Sequence, residues 1–225
     1  MFFPDRIKCV DPKFKVLEIG PGSSTHPRAD EFLELRFCDL ETAISQRGNV
    51  KKNPDFGERQ VHYYDGGRFP FADNAFDYVI ASHVVEHTSD PQEFMSEVFR
   101  VGGGRGYIEF PLPPYEYLFD LDVHLSYVWF DQADQTLHYV KKPREVLAEF
   151  SNITGELRRG LELGWDDLVR NNLPFFIQGF EFSTPFPIQE GRSVSTYQQR
   201  WENPGTGLAR RLVRKVETLF PPKTR

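Results

Sequence analysis

The stretch VLEIGPGSS, from Val16 to Ser24, is the feature that most constrains how this chain can fold. Apolar residues surround a single carboxylate, and two glycines separated by one residue follow at once. A short apolar run bounded by glycine predicts a buried strand. Glycines directly after such a strand allow a tight turn in which the backbone can approach a ligand closely. Turns of this kind follow the first strand of open α/β sheets, so the sequence predicts that architecture.

Strand-like and helix-like segments alternate through the first half of the chain. The clearest helix begins at Asp90-Pro91, because an N-cap, a proline at the first helical position and Glu93 stand together. Strands separated by crossovers of this length imply a Rossmann-like, mostly parallel sheet flanked by helices. The predicted strands are 15–19, 34–38, 60–64, 76–81 and 106–110.

The second half is predicted to diverge from this pattern. We expect a short helix at 142–150, a hairpin or the last strands of the sheet at 175–186, and an amphipathic helix at 208–220. No internal repeat separates the halves. We therefore expect one domain over 1–225, with the first turn in a half that spans 1–111 and a divergent C-terminal region at 112–225.

Composition excludes several classes of function. The 225 residues carry a formal net charge of -6, which argues against a general nucleic-acid binder. Cys9 and Cys38 do not make a disulfide framework, so we expect a reducing, cytoplasmic location. We expect no signal peptide and no transmembrane segment. The basic face predicted for 208–220 could touch anionic lipid or an acidic partner, but a solvated face is the simpler interpretation.

The first turn can be compared with two kinds of ligand. Dinucleotide sites need a third glycine three residues after the second, and Thr25 stands there. Pro27 interrupts any long helix that could hold a pyrophosphate. Glu18 would repel a pyrophosphate, but it suits a ligand whose ammonium group donates a charge-assisted hydrogen bond.

Two further acids follow later predicted strands. Asp39 stands 19 residues after Gly20 (39 − 20), where a carboxylate can accept from two ribose hydroxyls. Asp65 follows the third strand and can accept from an adenine amino group. Three acids at successive strand ends predict a site for a cationic nucleoside without phosphate. S-adenosylmethionine has an ammonium, a sulfonium and no phosphate.

At these residues the chain resembles class I S-adenosylmethionine-dependent methyltransferases. The motifs that carry the resemblance are VLEIGPG (16–22), Asp39, YDGGRFPFADNAFDYVIASHVVEH (64–87) and YIEFP (107–111), which together cover roughly the first half. Ser24 replaces the usual third glycine and Pro27 shortens or bends the first helix, so Glu34 is the alternative ribose ligand if the second strand ends early. The cofactor-binding positions that the resemblance implies are Glu18, Gly20, Pro21, Gly22, Ser23, Asp39, Leu40, Asp65, Gly66, Ser82 and His83.

Two histidines are candidates for chemistry at the acceptor. Methyl transfer needs a positioned acceptor and, for a hydroxyl, a general base. His87 follows the fourth strand and His124 follows the fifth, but a structural role for His87 and a place in a surface loop for His124 are the simpler interpretations. Glu86 and His87 alone are weak evidence for a metal, so we expect none. The aromatic residues between Tyr115 and Phe130 could line an acceptor pocket, although core packing is the more common role.

The sequence therefore predicts an S-adenosylmethionine-dependent methyltransferase that acts on a small molecule or a glycan precursor. A non-catalytic subunit or binding protein on the same fold is the alternative, since the fold alone does not establish activity. A nucleotide-dependent oxidoreductase is disfavoured by Glu18 and the absent third glycine.

Overall fold

The main sheet has six strands within the described part of the chain. The structure is a computed structural model that describes residues 1–8, 11–46, 54–143, 151–160 and 166–197. The strands are β1 Val16–Ile19, β2 Glu31–Leu35, β3 Gln60–Tyr64, β4 Tyr78–Ser82, β5 Gly106–Pro111 and β8 Ile177–Phe182. They lie in the order β3-β2-β1-β4-β5-β8. All neighbours pair in parallel except β5 and β8, which are antiparallel.

This sheet confirms the predicted Rossmann-like, mostly parallel architecture. Every residue of β1 and of β5 is buried, as expected for central parallel strands covered on both faces. Val16, Tyr78 and Tyr107 pack together on one face, although they come from three different strands. The segment predicted at 175–186 contains β8, so its interpretation as the last strand of the sheet is correct for that part.

The second strand begins three residues earlier than the sequence predicted, and the boundaries 34–38 were wrong. Val16 N donates to Asp30 Oδ2 (2.8 Å) and Asp30 N donates to Val16 O (2.9 Å). These two bonds attach the chain to β1 immediately before β2 and place Leu33 opposite Ile19. Residues 20–30 contain turns and bends but no helix, so the crossover that contains Pro27 is shorter than the usual one.

The six described α-helices all precede β8 in the chain. The bounds are α1 Leu40–Gln46, α2 Pro91–Val101, α3 Pro113–Phe119, α4 Ser151–Gly160, α5 Asp166–Arg170 and α6 Leu173–Phe176. The predicted start of α2 is confirmed, because Asp90 Oδ1 accepts from Glu93 N at 2.9 Å. Phe94, Met95 and Val98 form its buried face.

A second sheet is formed by residues of the C-terminal half. Its strands are β6 Ser126–Asp131, β7 Thr136–Lys141 and β9 Ile188–Glu190, in the order β6-β7-β9. The strands β6 and β7 form an antiparallel hairpin, and β9 adds in parallel to β7. Two predicted helices lie outside the described residues. The helix predicted at 142–150 does so except for 142–143, and the helix predicted at 208–220 does so entirely.

The chain divides into two compact units, 1–194 and 195–225, and both sheets belong to the first. Of the second unit the structure describes only 195–197. Among the described helices, none has the length and apolar character needed to cross a bilayer.

Candidate cofactor and acceptor site

One cavity of about 920 Å³ opens at the carboxyl ends of the parallel strands. It is bounded by the turns that follow β1, β2, β3 and β4, and it extends to residues between α3 and β6. Open α/β sheets bind ligands at this edge, where the strand order changes direction. The lining residues used below are Glu18, Gly20, Pro21, Gly22, Ser23, Asp65, Gly66, Ser82, His83, His87, Tyr115 and His124.

The glycine turn needs glycine at its first position for two reasons. Gly20 has φ +57°, and a Cβ built there would lie 3.0 Å from Val84 Cγ2. Its N–H donates to Leu33 O at 3.0 Å, which attaches the turn to β2. Gly22 has φ +65° but nothing within 4 Å of a built Cβ, so space remains beside it. The backbone is therefore both left-handed and open where a ligand would pass.

Glu18 is the buried acid of this turn. Its side chain is in the cavity wall, the residue is only 4% exposed, and Oε2 accepts from His26 N at 2.7 Å. Burial raises the pKa of Glu18 to about 7, although the His26 N–H and nearby cations lower it. Ionising this buried carboxyl group is costly, so a cationic ligand would stabilise its ionised form strongly. The geometry therefore fits an ammonium group.

The structure places the two ribose candidates differently from the prediction. Asp39 is exposed and caps α1, because its Oδ1 accepts from Thr42 N at 2.7 Å. Glu34 lies within β2 and is buried. Neither belongs to the cavity lining, which at this point consists of residues 35–38. The strand-end argument for Asp39 was therefore wrong, and its contact with a ribose stays a prediction, as does that of exposed Leu40.

The turn after β3 does reach the cavity. Asp65 directly follows β3 and, like Gly66, is part of the lining. Its carboxylate is 3.6 Å from Arg36 Nε and is largely exposed, so its oxygens remain accessible to a donor on a ligand. The predicted position beside an adenine is compatible with this placement.

Ser82 and His83 line the cavity and contact two buried glutamates, Glu86 and Glu109. Ser82 Oγ donates to Glu109 Oε1 at 3.0 Å. His83 Nε2 lies 3.1 Å from Glu109 Oε1 and Nδ1 lies 3.3 Å from Glu86 Oε1, which are ion-pair distances without good hydrogen-bond alignment. Burial alone would lower the pKa of His83, but these two carboxylates raise it to about 9. His83 is thus a partly buried cation between two buried acids.

Sequence reasoning missed Glu109. It is fully buried in β5 and accepts from Tyr107 Oη (2.6 Å), Phe2 N (2.7 Å) and Phe3 N (2.9 Å). Burial would raise the pKa of Glu109, but these donors and His83 lower it to about 2. The one acid inside the apolar run GYIEFP was the available signal.

The two predicted catalytic histidines meet at the far end of the cavity. The rings of His87 and His124 are 4.5 Å apart between centroids and nearly perpendicular. Leu125 N donates to Glu86 O at 2.7 Å, so the backbone holds the two loops together. Burial lowers the pKa of His87 to about 4, although Glu86 opposes the shift. The ring of His87 is therefore neutral at physiological pH.

Each of these rings has a polar partner at Nδ1. His124 Nδ1 is 2.5 Å from Glu116 Oε1, and Lys142 Nζ donates to Glu116 Oε2 at 3.0 Å. His87 Nδ1 is 2.9 Å from Gln46 Oε1. A carboxylate beside Lys142 can only accept, so the proton of a neutral His124 stands on Nδ1 and Nε2 keeps its lone pair.

The aromatic stretch mostly forms core. Tyr115 is the member that lines the cavity, while Phe119, Tyr127 and Trp129 are buried. The exposed Tyr117 stacks on Tyr127 with ring centroids 5.0 Å apart. The acceptor end of the cavity therefore has one aromatic wall residue from this stretch.

Residues 17–110 match the methyltransferase domain family. The match covers the glycine turn, the loop that ends in His87 and the strands β1 to β5, except the first residue of β1 and the last residue of β5. It confirms the resemblance to class I S-adenosylmethionine-dependent methyltransferases on the stretch that carries the motifs.

Two curated relatives each match less than half of the chain. The chain is 30% identical over 109 residues to a demethylmenaquinone methyltransferase of Renibacterium salmoninarum, covering 46% of this chain and 44% of that protein. It is 33% identical over 95 residues to one of Paenarthrobacter aurescens, covering 40% and 36%. The chain thus spans less than half the length of these relatives.

A solved structure overlaps more loosely. An S-adenosylmethionine-dependent methyltransferase of Thermotoga maritima, described as a possible histamine N-methyltransferase, is 20% identical. The overlap covers 49% of this chain and 50% of that one, with a TM-score of 0.33.

Proposed function

We propose that this chain is an S-adenosylmethionine-dependent methyltransferase whose acceptor is a small molecule or a glycan precursor. The observation that carries the proposal is Glu18. It is a buried carboxyl in the wall of the cavity, beside a left-handed glycine turn, within the segment that matches the methyltransferase family. Its need for a cationic partner matches the ammonium group of the cofactor.

The bound cofactor supplies a methyl group already activated on a sulfonium, so the protein's main tasks are to position the acceptor and exclude water. In this chain, residues 20–23 would hold the methionine part. Asp65 and Gly66 would lie beside the adenine, and residues 82–83 would close the same wall. The cavity also supports room for an acceptor molecule, because Gly22 and His124 both line the same continuous cavity.

His124 is the proposed general base for a hydroxyl acceptor. Its Nε2 lone pair would take the acceptor proton as the oxygen attacks the methyl carbon. Glu116 would stabilise the resulting imidazolium, and Lys142 holds that carboxylate in place at 3.0 Å. His87, held by Gln46, would orient the acceptor from the other side.

The names of the curated relatives support a small-molecule acceptor, since both are called demethylmenaquinone methyltransferases. The continuity of the cavity favours an enzyme over a non-catalytic subunit. A subunit that only binds the cofactor needs no space between the glycine turn and a histidine pair.

Two measurements test the proposal. Calorimetry with S-adenosylhomocysteine should show one site per chain, with NAD as the comparison ligand. Binding of NAD in place of S-adenosylhomocysteine would refute the cofactor. A screen of phenolic, quinol and sugar acceptors with methyl-labelled cofactor then seeks product. Binding of S-adenosylhomocysteine with no transfer to any member of a broad panel would favour the non-catalytic alternative.

A further inference from the structure

We propose that Glu86, His87 and His124 bind one divalent transition-metal ion of the Zn²⁺ type at the acceptor end of the cavity. One ligand atom from each of the three residues lies within 4.8 Å of the other two. Sequence reasoning expected no metal because Glu86 and His87 had no partner cluster. The fold brings His124 to them from 37 residues further along the chain (124 − 87).

The ligand types suit such an ion. Two imidazoles and one carboxylate form a common set for zinc and for iron(II). Bonds of about 2.0–2.1 Å in a tetrahedral site place neighbouring ligand atoms about 3.3 Å apart. His87 Nε2 lies 4.0 Å from Glu86 Oε1, so this pair would need to close by several tenths of an ångström.

Both rings already have Nδ1 occupied. His124 Nδ1 faces the Glu116 carboxylate, and His87 Nδ1 faces the side-chain oxygen of Gln46. In each ring, Nε2 is therefore the nitrogen left with a lone pair for a metal. Metal-binding histidines usually have such a partner on the other nitrogen, which fixes the tautomer and the ring orientation.

The surroundings of Glu86 support a metal ion independently of the two histidines. It is fully buried, and among the described residues neither oxygen accepts a well-formed hydrogen bond. Its one close cationic contact is His83 Nδ1, at 3.3 Å from Oε1. A buried carboxylate without a hydrogen-bond donor is costly, and coordination of a metal ion by one of its oxygens would supply a partner.

The backbone holds the three residues together without a metal. Glu86 and His87 form a single 3-10 turn, Val85–His87, and the carbonyl of Glu86 accepts from Leu125 N at 2.7 Å. On the other side, Lys142 Nζ contacts both Glu116 (3.0 Å) and Asp120 (2.8 Å). The partner of His124 is thus itself anchored, which reduces the rearrangement needed for binding.

Three protein ligands leave at least one coordination position free, as in catalytic rather than structural zinc sites. Because His87 and His124 line the cavity, that position is expected to face it. It would take an oxygen ligand, either water or the hydroxyl of an acceptor. This role in acceptor activation rests on the proposed function. When a metal ion is bound, Nε2 of His87 and Nε2 of His124 are its ligands, and the metal ion then activates the acceptor in place of His124 as general base. Metal binding itself does not depend on methyl transfer.

The test uses the full chain, stripped with a chelator and reloaded with Zn²⁺ or Co²⁺. We expect one ion per chain by elemental analysis. Co²⁺ should give visible d–d absorption with an intensity typical of four or five coordination. His87→Gln, His124→Gln and Glu86→Gln should each weaken Zn²⁺ binding at least about tenfold in calorimetry, and Glu116→Gln about 10–100-fold as a residue acting through His124.

His138→Gln is the matched control, because His138 lies on β7, pairs with Asp134 in the turn before that strand and is not a member of the cluster. It should bind Zn²⁺ like the unmodified chain. The proposal is overturned if the unmodified chain binds neither ion at one per chain, or if the cluster variants bind as tightly as the control. If a variant does not fold, the Co²⁺ spectrum of the unmodified chain tests the proposal instead, and absence of the expected d–d absorption would overturn it. S-adenosylhomocysteine binding, measured in parallel, reports separately on the proposed function.

Discussion

Replacing Glu18 by Gln isolates the electrostatic reason for binding a cationic cofactor. Burial raises the pKa of Glu18 from its ordinary 4.5 to about 7. At about 1.4 kcal/mol per pKa unit, this difference makes the ionised form about 3 kcal/mol harder to hold in the empty site than in water. A bound ammonium group would return the pKa toward its ordinary value.

The consequence is a defined pH dependence of affinity. The cofactor binds the ionised carboxylate, so affinity is highest above pH 7 and falls as Glu18 takes up a proton below it. With a pKa of about 7 in the empty site and about 4.5 in the complex, affinity should fall about 20-fold from pH 7.5 to pH 5.5. Glu18→Gln should remove the part of this pH dependence that comes from Glu18. The variant should also bind about 10–100-fold more weakly at pH 7.5, since a charge-assisted hydrogen bond is lost.

Calorimetry with S-adenosylhomocysteine over this pH range is the assay, with Glu93→Gln as the control. Glu93 is an exposed carboxylate that lines the same cavity, and its replacement should leave the slope intact. An unmodified chain with no loss of affinity down to pH 5.5, or a Glu18→Gln variant that retains the full slope, would refute the reasoning.

The raised pKa of Glu18 also affects the stability of the protein without cofactor, and here ionisation of the carboxyl is unfavourable. A carboxyl whose folded pKa is raised stabilises the fold below pH 4.5, and that contribution is lost as pH rises through about 7. Without cofactor, Glu18→Gln should therefore melt at a higher temperature than the unmodified chain at pH 8. The difference, at most about 3 kcal/mol, should shrink toward pH 4.5 in thermal denaturation.

Four further substitutions test the site. Of Asp39→Asn and Glu34→Gln, the one that contacts the ribose should weaken S-adenosylhomocysteine binding about tenfold or more in calorimetry, and the other should not. His124→Ala should lower kcat about 10²–10⁴-fold in a methyl-transfer assay with little change in cofactor affinity. Gly20→Ala should lower the free energy of unfolding by at least about 1–2 kcal/mol in denaturant titrations, because φ is +57° and Val84 is 3.0 Å from the new Cβ.

Each of these has its own control. Loss of binding in neither or both of the acid variants contradicts a single ribose carboxylate. An unchanged kcat removes His124 from the reaction, and a large loss of cofactor affinity shows a structural role instead. Gly22→Ala has the same left-handed backbone but open space, so an equal loss of stability would show that the Val84 contact contributes nothing.

The sequence was most informative where the signal is local. The apolar run before Gly20 marked β1, and Asp90-Pro91 marked the start of α2, because a strand end and a helix cap each depend on a few adjacent residues. The predicted third strand, 60–64, coincides with β3. Local chemistry also singled out Glu18, since an acid next to a glycine turn is visible without the fold.

Where contacts join distant residues, the tertiary structure decided. The register of β2 depends on Asp30 bonding to Val16, and Asp39 was mistaken for a strand-end residue because a helix cap and a strand-end acid look alike in sequence. Sequence proposed His87 and His124 separately, but their 4.5 Å approach depends on a backbone bond between two loops. The sequence by itself determined which side chains could do chemistry; packing and long-range hydrogen bonds decided which of them meet.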